Sequence, residues 1–204
     1  MTDKIKQAIR AYDKIASLYA KYTHEKIYQF QLTKFISLLS GKKILDAGCG
    51  SGRDVEYFLE DGLQPIGIDL SKGMIKEAKK RVKNGKFKIM DFLDLKFKDN
   101  SFDGIWSMAG FIHLPRKEVK KALKEFHRVL KENGIIYIAV KEGEGEKEIK
   151  KEKYKNEPRP YVFFKKEELE DYLHENKFKI ISSELNDDQG KKWVEIFAKK
   201  VSLS

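Results

Sequence analysis

Apolar residues along this chain change their spacing several times, and each change marks an element. Residues 3–22 place Ile5, Ile9, Ile15, Leu18, Tyr19 and Tyr22 at mostly helical intervals. Residues 25–39 do the same with Ile27, Phe30, Phe35, Leu38 and Leu39, before Ser40-Gly41 closes the run. From residue 43 onward short apolar runs alternate with helical stretches. Strands are expected at 43–47, 64–68, 87–90, 102–107 and 135–140, the last an unbroken apolar run suited to a strand covered on both faces. Helices are expected at 54–61, ended by Gly62, at 71–82, with Ser71 in position to cap, and at 115–131, with Pro115 in the first turn and Asn133-Gly134 past the end. Strand and helix in this rhythm build βαβ units, and so a doubly wound α/β sheet that is mostly parallel.

The character changes after residue 141. The segment KEGEGEKEIKKEKYKNEPRP is charged and carries two prolines, and is read as a long loop without firm structure. A helix over 165–175 follows, then two runs at 178–184 and 192–199 joined by the turn NDDQGK, an antiparallel C-terminal hairpin at one sheet edge. The chain of 204 residues is read as a single domain, with an N-terminal helical cap at 1–41, a core at 42–141, and the charged loop, helix and hairpin at 142–204.

Composition changes this picture little. Forty-two Lys and Arg against 32 Asp and Glu leave a net charge of +10, which raises an anionic partner such as nucleic acid. The lysines are instead interleaved with glutamates along the whole chain, a pattern shared with heat-adapted proteins, so thermophily is expected and nucleic acid stays a minor alternative. No run of about 18 apolar residues is present, so no membrane span is expected, and the charged N-terminus lacks the apolar stretch of a signal peptide. Cys49 is the single cysteine, which excludes an internal disulfide and fits a reducing, cytoplasmic setting. Oligomeric state is not fixed by any of these features.

The chemistry concentrates in Ile44-Leu45-Asp46-Ala47-Gly48-Cys49-Gly50-Ser51-Gly52-Arg53-Asp54, where a strand runs into three alternating glycines and then a helix. Glycines let the backbone turn sharply or lie against a ligand, and the helix start offers free N–H groups. Asp69 closes the second strand, placed so that its carboxylate can accept hydrogen bonds from a ribose diol. These features fit either a dinucleotide or a sulfonium nucleoside.

ILDAGCGSGRD followed by GIDLS resembles the nucleoside-binding signature of class I S-adenosylmethionine-dependent methyltransferases of the small-molecule type. Dinucleotide enzymes show G-x-G-x-x-G instead. Three further segments resemble that family in order: Lys88-Ile89-Met90-Asp91-Phe92, then Asn100 to Ser107 with Phe111-Ile112-His113-Leu114-Pro115, then Arg128 to Gly134, where Glu-Asn-Gly replaces the usual Leu-Lys-Pro-Gly-Gly turn. The resemblance covers residues 44–141 and implies a Rossmann-like fold with S-adenosylmethionine as cofactor. It implies that Gly48 to Gly52, with Ala47, Cys49 and Gly50, cradles the methionine and ribose, that Asp69 holds the ribose hydroxyls beside Leu70 and Met74, and that Asp91 reads the adenine amine with Phe92 alongside. Ser107, Met108 and Asp46 are placed at the amino-acid end. Arg53 either pairs with the cofactor carboxylate or is an exposed helix arginine. Tyr12 and Tyr19, in YDKIAxxY, resemble the opening helix of small-molecule methyltransferases and would fold over the cofactor.

Methyl transfer from a sulfonium is an in-line displacement that positioning alone can drive by up to about 7–11 kcal/mol. A general base is needed only where the acceptor must lose a proton. His113 is the first candidate and Tyr19 the second, with His24 weaker. Lys141 and Tyr161 are candidates for touching substrate, His127 and His174 are read as solvated, and Phe163, Phe164 and Trp193 as packing. No metal ligands are assigned. The acceptor is expected to be a small molecule. The alternatives are a nucleic-acid methyltransferase, against which stands Ser107-Met108-Ala109-Gly110 where an Asn/Asp-Pro-Pro-Tyr segment would be, a non-catalytic module that only holds the cofactor, and a nicotinamide-dependent oxidoreductase.

Overall fold

A computed structural model of the chain describes residues 1–23, 28–188 and 190–201. The elements run α1 (Asp3–Thr23), α2 (Gln29–Leu38), β1 (Lys43–Ala47), α3 (Arg53–Glu60), β2 (Gln64–Asp69), α4 (Lys72–Arg81), β3 (Lys86–Ile89), β4 (Phe102–Met108), α5 (Arg116–Val129), β5 (Leu130–Lys141), β6 (Glu146–Ile149), β7 (Arg159–Val162), α6 (Lys166–Glu175), β8 (Phe178–Asp188) and β9 (Lys191–Lys200), with 3-10 turns at Phe111–His113 and Glu152–Tyr154. The expected start of the second helix at 25, and His24, fall outside the described residues.

The main sheet has the order β3-β2-β1-β4-β5-β9-β8. β1 to β5 pair in parallel, and β9 is antiparallel to both of its neighbours. This is the expected Rossmann-like sheet with its C-terminal hairpin at the edge. Side chains alternate across a strand, and β5 is apolar at every step of Ile135–Val140 because both of its faces are covered. Ile136, Ile138 and Val140 pack with Val119, Leu123 and Phe126 of α5 and Leu169 of α6. Ile135, Tyr137 and Ala139 face the other way, into Leu32 and Phe35 of α2 and Phe58 of α3. Trp106 of β4 is central to that second layer: fully buried, it stacks on Tyr137 at 4.1 Å and meets Phe35 and Phe58 edge-on. The result is three layers, helix on sheet on helix.

Two expectations change. The charged segment after residue 141 is structured: β6 and β7 pair antiparallel as a separate two-stranded sheet. Its apolar residues are few but well placed, since Tyr154, Tyr161, Val162 and Phe164 are all buried. Its acidic residues dock on α1, where Lys4 pairs with Glu146, Gln7 with Glu148 and Lys14 with Glu157. Arg116 fixes the other end by donating to the Phe163 carbonyl and pairing with Glu168. The long helix also stops earlier than expected, at Val129, and Leu130 already pairs with Phe102 before Asn133 turns the chain with φ 61°. Among the described residues no helix is long and apolar enough to cross a membrane.

Candidate functional site

The strand order reverses at β1, since the chain winds outward through β2 and β3 and then returns to place β4 on the other side. In open α/β sheets the ligand crevice lies at such a point, beyond the carboxyl ends of the strands. There a cleft of about 850 Å³, counted with its solvent-open mouth, is walled by the ends of β1, β2 and β4 and roofed by α1.

The floor follows from backbone geometry. The N–H groups of Gly48 and Cys49 both donate to the Ile68 carbonyl at 2.9 Å, which ties the glycine turn to the end of β2. Gly48 has φ 89°, and a Cβ there would stand 3.0 Å from Gly110 Cα. Gly110 is tighter still, because a Cβ would lie 2.5 Å from Ser107 Oγ and 2.7 Å from the Ala47 carbonyl. Two small residues thus let the glycine turn and the loop after β4 pack closely together.

Asp69 is half-buried at the cleft, accepting from Gly50 N–H at 3.0 Å and from Ser71 N–H at 2.8 Å. Burial pushes its carboxyl up to about 6, although those N–H groups pull the other way. Ser71 caps α4 as expected, accepting from Met74 N–H at 3.0 Å. Its own hydroxyl donates to Asp13 at 2.6 Å, and Asp13 also accepts from Gly73 N–H at 2.8 Å. Asp13 therefore pins α1 to the core, a role that one acidic residue in a charged helix does not announce. Asp91 and Phe92 line the cleft too. Asp91 accepts from Leu93 N–H at 2.9 Å, and Phe92 packs on Phe111 and Phe126.

Leu70, Met74, Met108, Tyr12, Tyr19 and His113 complete the expected lining, whereas Asp46, Ala47, Cys49, Arg53 and Ser107 stand behind it. Asp46 is 2% exposed and its Oδ2 has no hydrogen-bond partner. Burial, then Asp54, raises its carboxyl well above the usual range, with Arg53 opposing. Arg53 is neither an exposed helix arginine nor a lining cation: it grips Asp54 through two bonds of 2.6 and 2.9 Å, and Trp106 Nε1 donates to the same carboxylate at 2.9 Å. Ser107 is fully buried and donates to the Ala47 carbonyl at 3.1 Å.

The roof joins aromatic groups from three elements. His113 Nδ1 lies 2.7 Å from the Pro160 carbonyl, which can only accept, so the proton sits on Nδ1. Nε2 then accepts from the Tyr12 hydroxyl at 3.0 Å. Burial, and then the charge of Arg159, lower the imidazole to about 4, so it is neutral near pH 7. Tyr19 meets Tyr12 edge-on at 5.2 Å, and burial above all raises both phenols. Tyr161 lies against His113 at 5.1 Å. Lys141 is away from the cleft, its Nζ 3.5 Å above the Trp193 ring. His127 is not a solvated surface group: it packs on Phe178 at 5.5 Å, and its Nε2 is buried.

Ile5, Ala8 and Ile9 also line the cleft, on the α1 face that carries Tyr12. Their helical spacing was visible, but a core-facing stripe reads the same as a ligand-facing one. Arg159 of β7 was missed entirely. It is 1% exposed, with its guanidinium carbon 4.7 Å from the ring centre of Tyr154, 5.5 Å from that of Tyr161 and 5.7 Å from that of Tyr12.

Comparison with known proteins agrees with this geometry. Residues 45–138 match the family model described as a methyltransferase domain. A demethylmenaquinone methyltransferase of Thermotoga maritima is 32% identical over 142 residues, covering 65% of this chain and 61% of that protein. The chain spans only 41–61% of the length of the first curated relatives it matches. In solved structures, an S-adenosylmethionine-dependent methyltransferase from Methanosarcina mazei superposes with a TM-score of 0.76 at 22% identity, covering 86% of this chain and 99% of that one. The Burkholderia thailandensis 1,6-didemethyltoxoflavin-N1-methyltransferase gives 0.74 at 22% identity, covering 99% and 92%. Residues 45–138 are thus similar to the methyltransferase domain family.

Proposed function

We propose that the chain is an enzyme that transfers a methyl group from S-adenosylmethionine to a small-molecule acceptor. One observation carries the reading: the Asp69 carboxylate closes β2 beside the Gly50 N–H, on the wall of a cleft whose floor is a glycine turn. The residues present suit the cofactor. Asp69 would take the ribose hydroxyls, Asp91 the adenine amine and Phe92 the ring, with Leu70 and Met74 as apolar neighbours. The unpartnered Asp46 Oδ2 suits the cationic amino-acid end, together with the backbone near Gly48, Ser107 and Met108. A structural relative, the toxoflavin enzyme, holds S-adenosylhomocysteine.

When bound, S-adenosylmethionine supplies a methyl already activated by the sulfonium charge. The protein's work is then to hold the acceptor in line and keep water out. α1 roofs the cleft with Ile5, Ile9, Tyr12 and Tyr19, which exclude solvent. Neutral His113 accepts from Tyr12. An acceptor hydroxyl or amine that must lose its proton can pass it to the Tyr12 oxygen while Tyr12 passes its own to His113 Nε2. Tyr19 positions Tyr12 edge-on. The chain works as a single domain, and its lone thiol and Lys/Glu-rich surface support a cytoplasmic, heat-adapted setting.

Calorimetry with S-adenosylhomocysteine tests the reading. Asp69→Ala should weaken binding by well over about tenfold, the scale of one lost pair of charge-assisted bonds. Unchanged affinity in that variant removes the ribose assignment.

A further inference from the structure

We infer that Arg159 selects an acceptor bearing a negatively charged oxygen, a carboxylate or an ionised hydroxyl, which it meets at the Tyr12 and Tyr19 wall of the cleft. The inference rests on the methyl-transfer reading and names the acceptor class for it.

Arg159 is 1% exposed, yet its Nε and Nη2 have no hydrogen-bond partner. Among the described residues no salt bridge to it is present, whereas Arg53, Arg81, Arg116 and Arg128 each hold a carboxylate. A buried cation without its counter-charge is one of the costliest arrangements a fold can keep. The faces of Tyr12, Tyr154 and Tyr161 offset part of that cost. Tyr12 takes one hydrogen bond from the guanidinium, but ring faces do not satisfy N–H donors, so Nε and Nη2 retain unmet demand for an anionic acceptor atom.

Its position says where that atom comes from. Arg159 precedes Pro160, whose carbonyl holds His113, and it lies beside Tyr12, whose hydroxyl bonds the same imidazole. Arg159 does not line the cleft itself but stands directly behind the Tyr12 and His113 wall that carries the proton-accepting pair, and not behind the glycine turn that holds the nucleoside. That wall bears no opposing charge, since His113 is neutral and both phenols are protonated. An acidic acceptor bound there gains a guanidinium partner and presents its nucleophilic oxygen, or a neighbouring atom, to the cofactor. The cofactor's own carboxylate shares this chemistry and is the competing source.

The test loads the full chain with S-adenosylhomocysteine and titrates benzoate and 4-hydroxybenzoate against their neutral amides by calorimetry. The acids should bind at least about tenfold more tightly than the amides, and Arg159→Met should abolish the preference while Arg159→Lys restores part of it. Affinity for S-adenosylhomocysteine should change by less than about twofold in both variants. The ligand-free Arg159→Met protein should melt at or above the parent, because an apolar side chain replaces an unpaired buried charge. Acids that bind no better than amides, or a preference that survives in Arg159→Met, overturn the inference. A fall of more than about tenfold in S-adenosylhomocysteine affinity with the acid preference intact also overturns it, by assigning Arg159 to the cofactor. A melting point lowered by more than about 5 °C in Arg159→Met overturns it as well, by making the residue structural. Failure of the parent to take up S-adenosylhomocysteine is a different result, which sinks the methyl-transfer reading itself.

Discussion

In its proposed role Asp69 accepts hydrogen bonds from a sugar, most strongly as an anion, in a place that resists one. Its carboxyl is pushed up to about 6 by burial, even with backbone N–H groups holding it down. Nucleoside binding should therefore be flat above about pH 6 and weaken by about tenfold for each unit below, as protons compete for the same oxygens. Calorimetric titration with S-adenosylhomocysteine across pH 4.5–8 checks this, and a flat profile removes Asp69 as the contact. Stability of the ligand-free protein follows two opposed trends in that range. A raised carboxyl favours the fold below the unfolded value and loses that favour as pH rises through about 6. A depressed imidazole at His113 favours the fold above about 6.5 and loses it as pH falls toward about 4. Only the first trend should vanish in Asp69→Asn, seen as melting temperature against pH. Gly110→Ala is a second test at this scale. Its Cβ would collide with Ser107 Oγ and the Ala47 carbonyl, both fixed in the sheet. Overpacking of this kind costs about 1–3 kcal/mol, read from chemical denaturation. Asp69 and the glycine turn were legible in the sequence because a strand, small residues and a second strand frame them. Arg159 was not, since it stands in a lysine- and glutamate-rich run where nothing marks one cation as buried.

The β6–β7 pair shows what charge can hide in an element. Read by composition, residues 141–160 cannot bury enough apolar surface to fold. Their apolar residues are nevertheless spent efficiently, with Tyr154 3% exposed and Tyr161, the next residue along, 8%. The aromatic seam against α1, where Tyr154 meets Tyr19 at 5.5 Å and Tyr22 at 6.0 Å, should hold the pair in place more than the ion pairs outside it. Tyr154→Ala is expected to cost about 3–5 kcal/mol in urea unfolding, as for other buried aromatics. Lys14→Ala, which removes an exposed pair with Glu157, should cost less than about 1 kcal/mol. Equal losses would reverse that assignment. The early end of α5 was hidden for a related reason: Leu130 satisfies a helical stripe and a strand equally well, and its pairing with Phe102 decides the matter.

For the molecule as a whole, alternation between strands and helices specified the parallel sheet almost completely. It could not say which hairpin strand lies against β5. The answer follows from burial, for β9 is enclosed from Trp193 to Ala198 while β8 keeps Ile181 and Leu185 exposed. Because the cleft draws on α1, β1, β2 and β4 together, ligand should stabilise the entire cooperative unit. S-adenosylhomocysteine at about 100 times its dissociation constant adds about 2.7 kcal/mol, a rise of about 5–10 °C in Tm for a chain of this size. NAD at the same concentration should give no rise. Protection by NAD instead would favour the oxidoreductase alternative.

Cys49 sits inside the glycine turn, 8% exposed, with its sulfur packed where Gly67 leaves room. Burial and the neighbouring Asp46 and Asp69 carboxylates keep it protonated far above its ordinary range. A sulfonium is an alkylating agent, and the thiolate is the strongest nucleophile a protein owns. Housing the one beside the other would invite suicide by self-modification. These two acidic groups and a dry wall keep this sulfur inert, so the purified protein should stay unmodified through prolonged storage with its methyl donor.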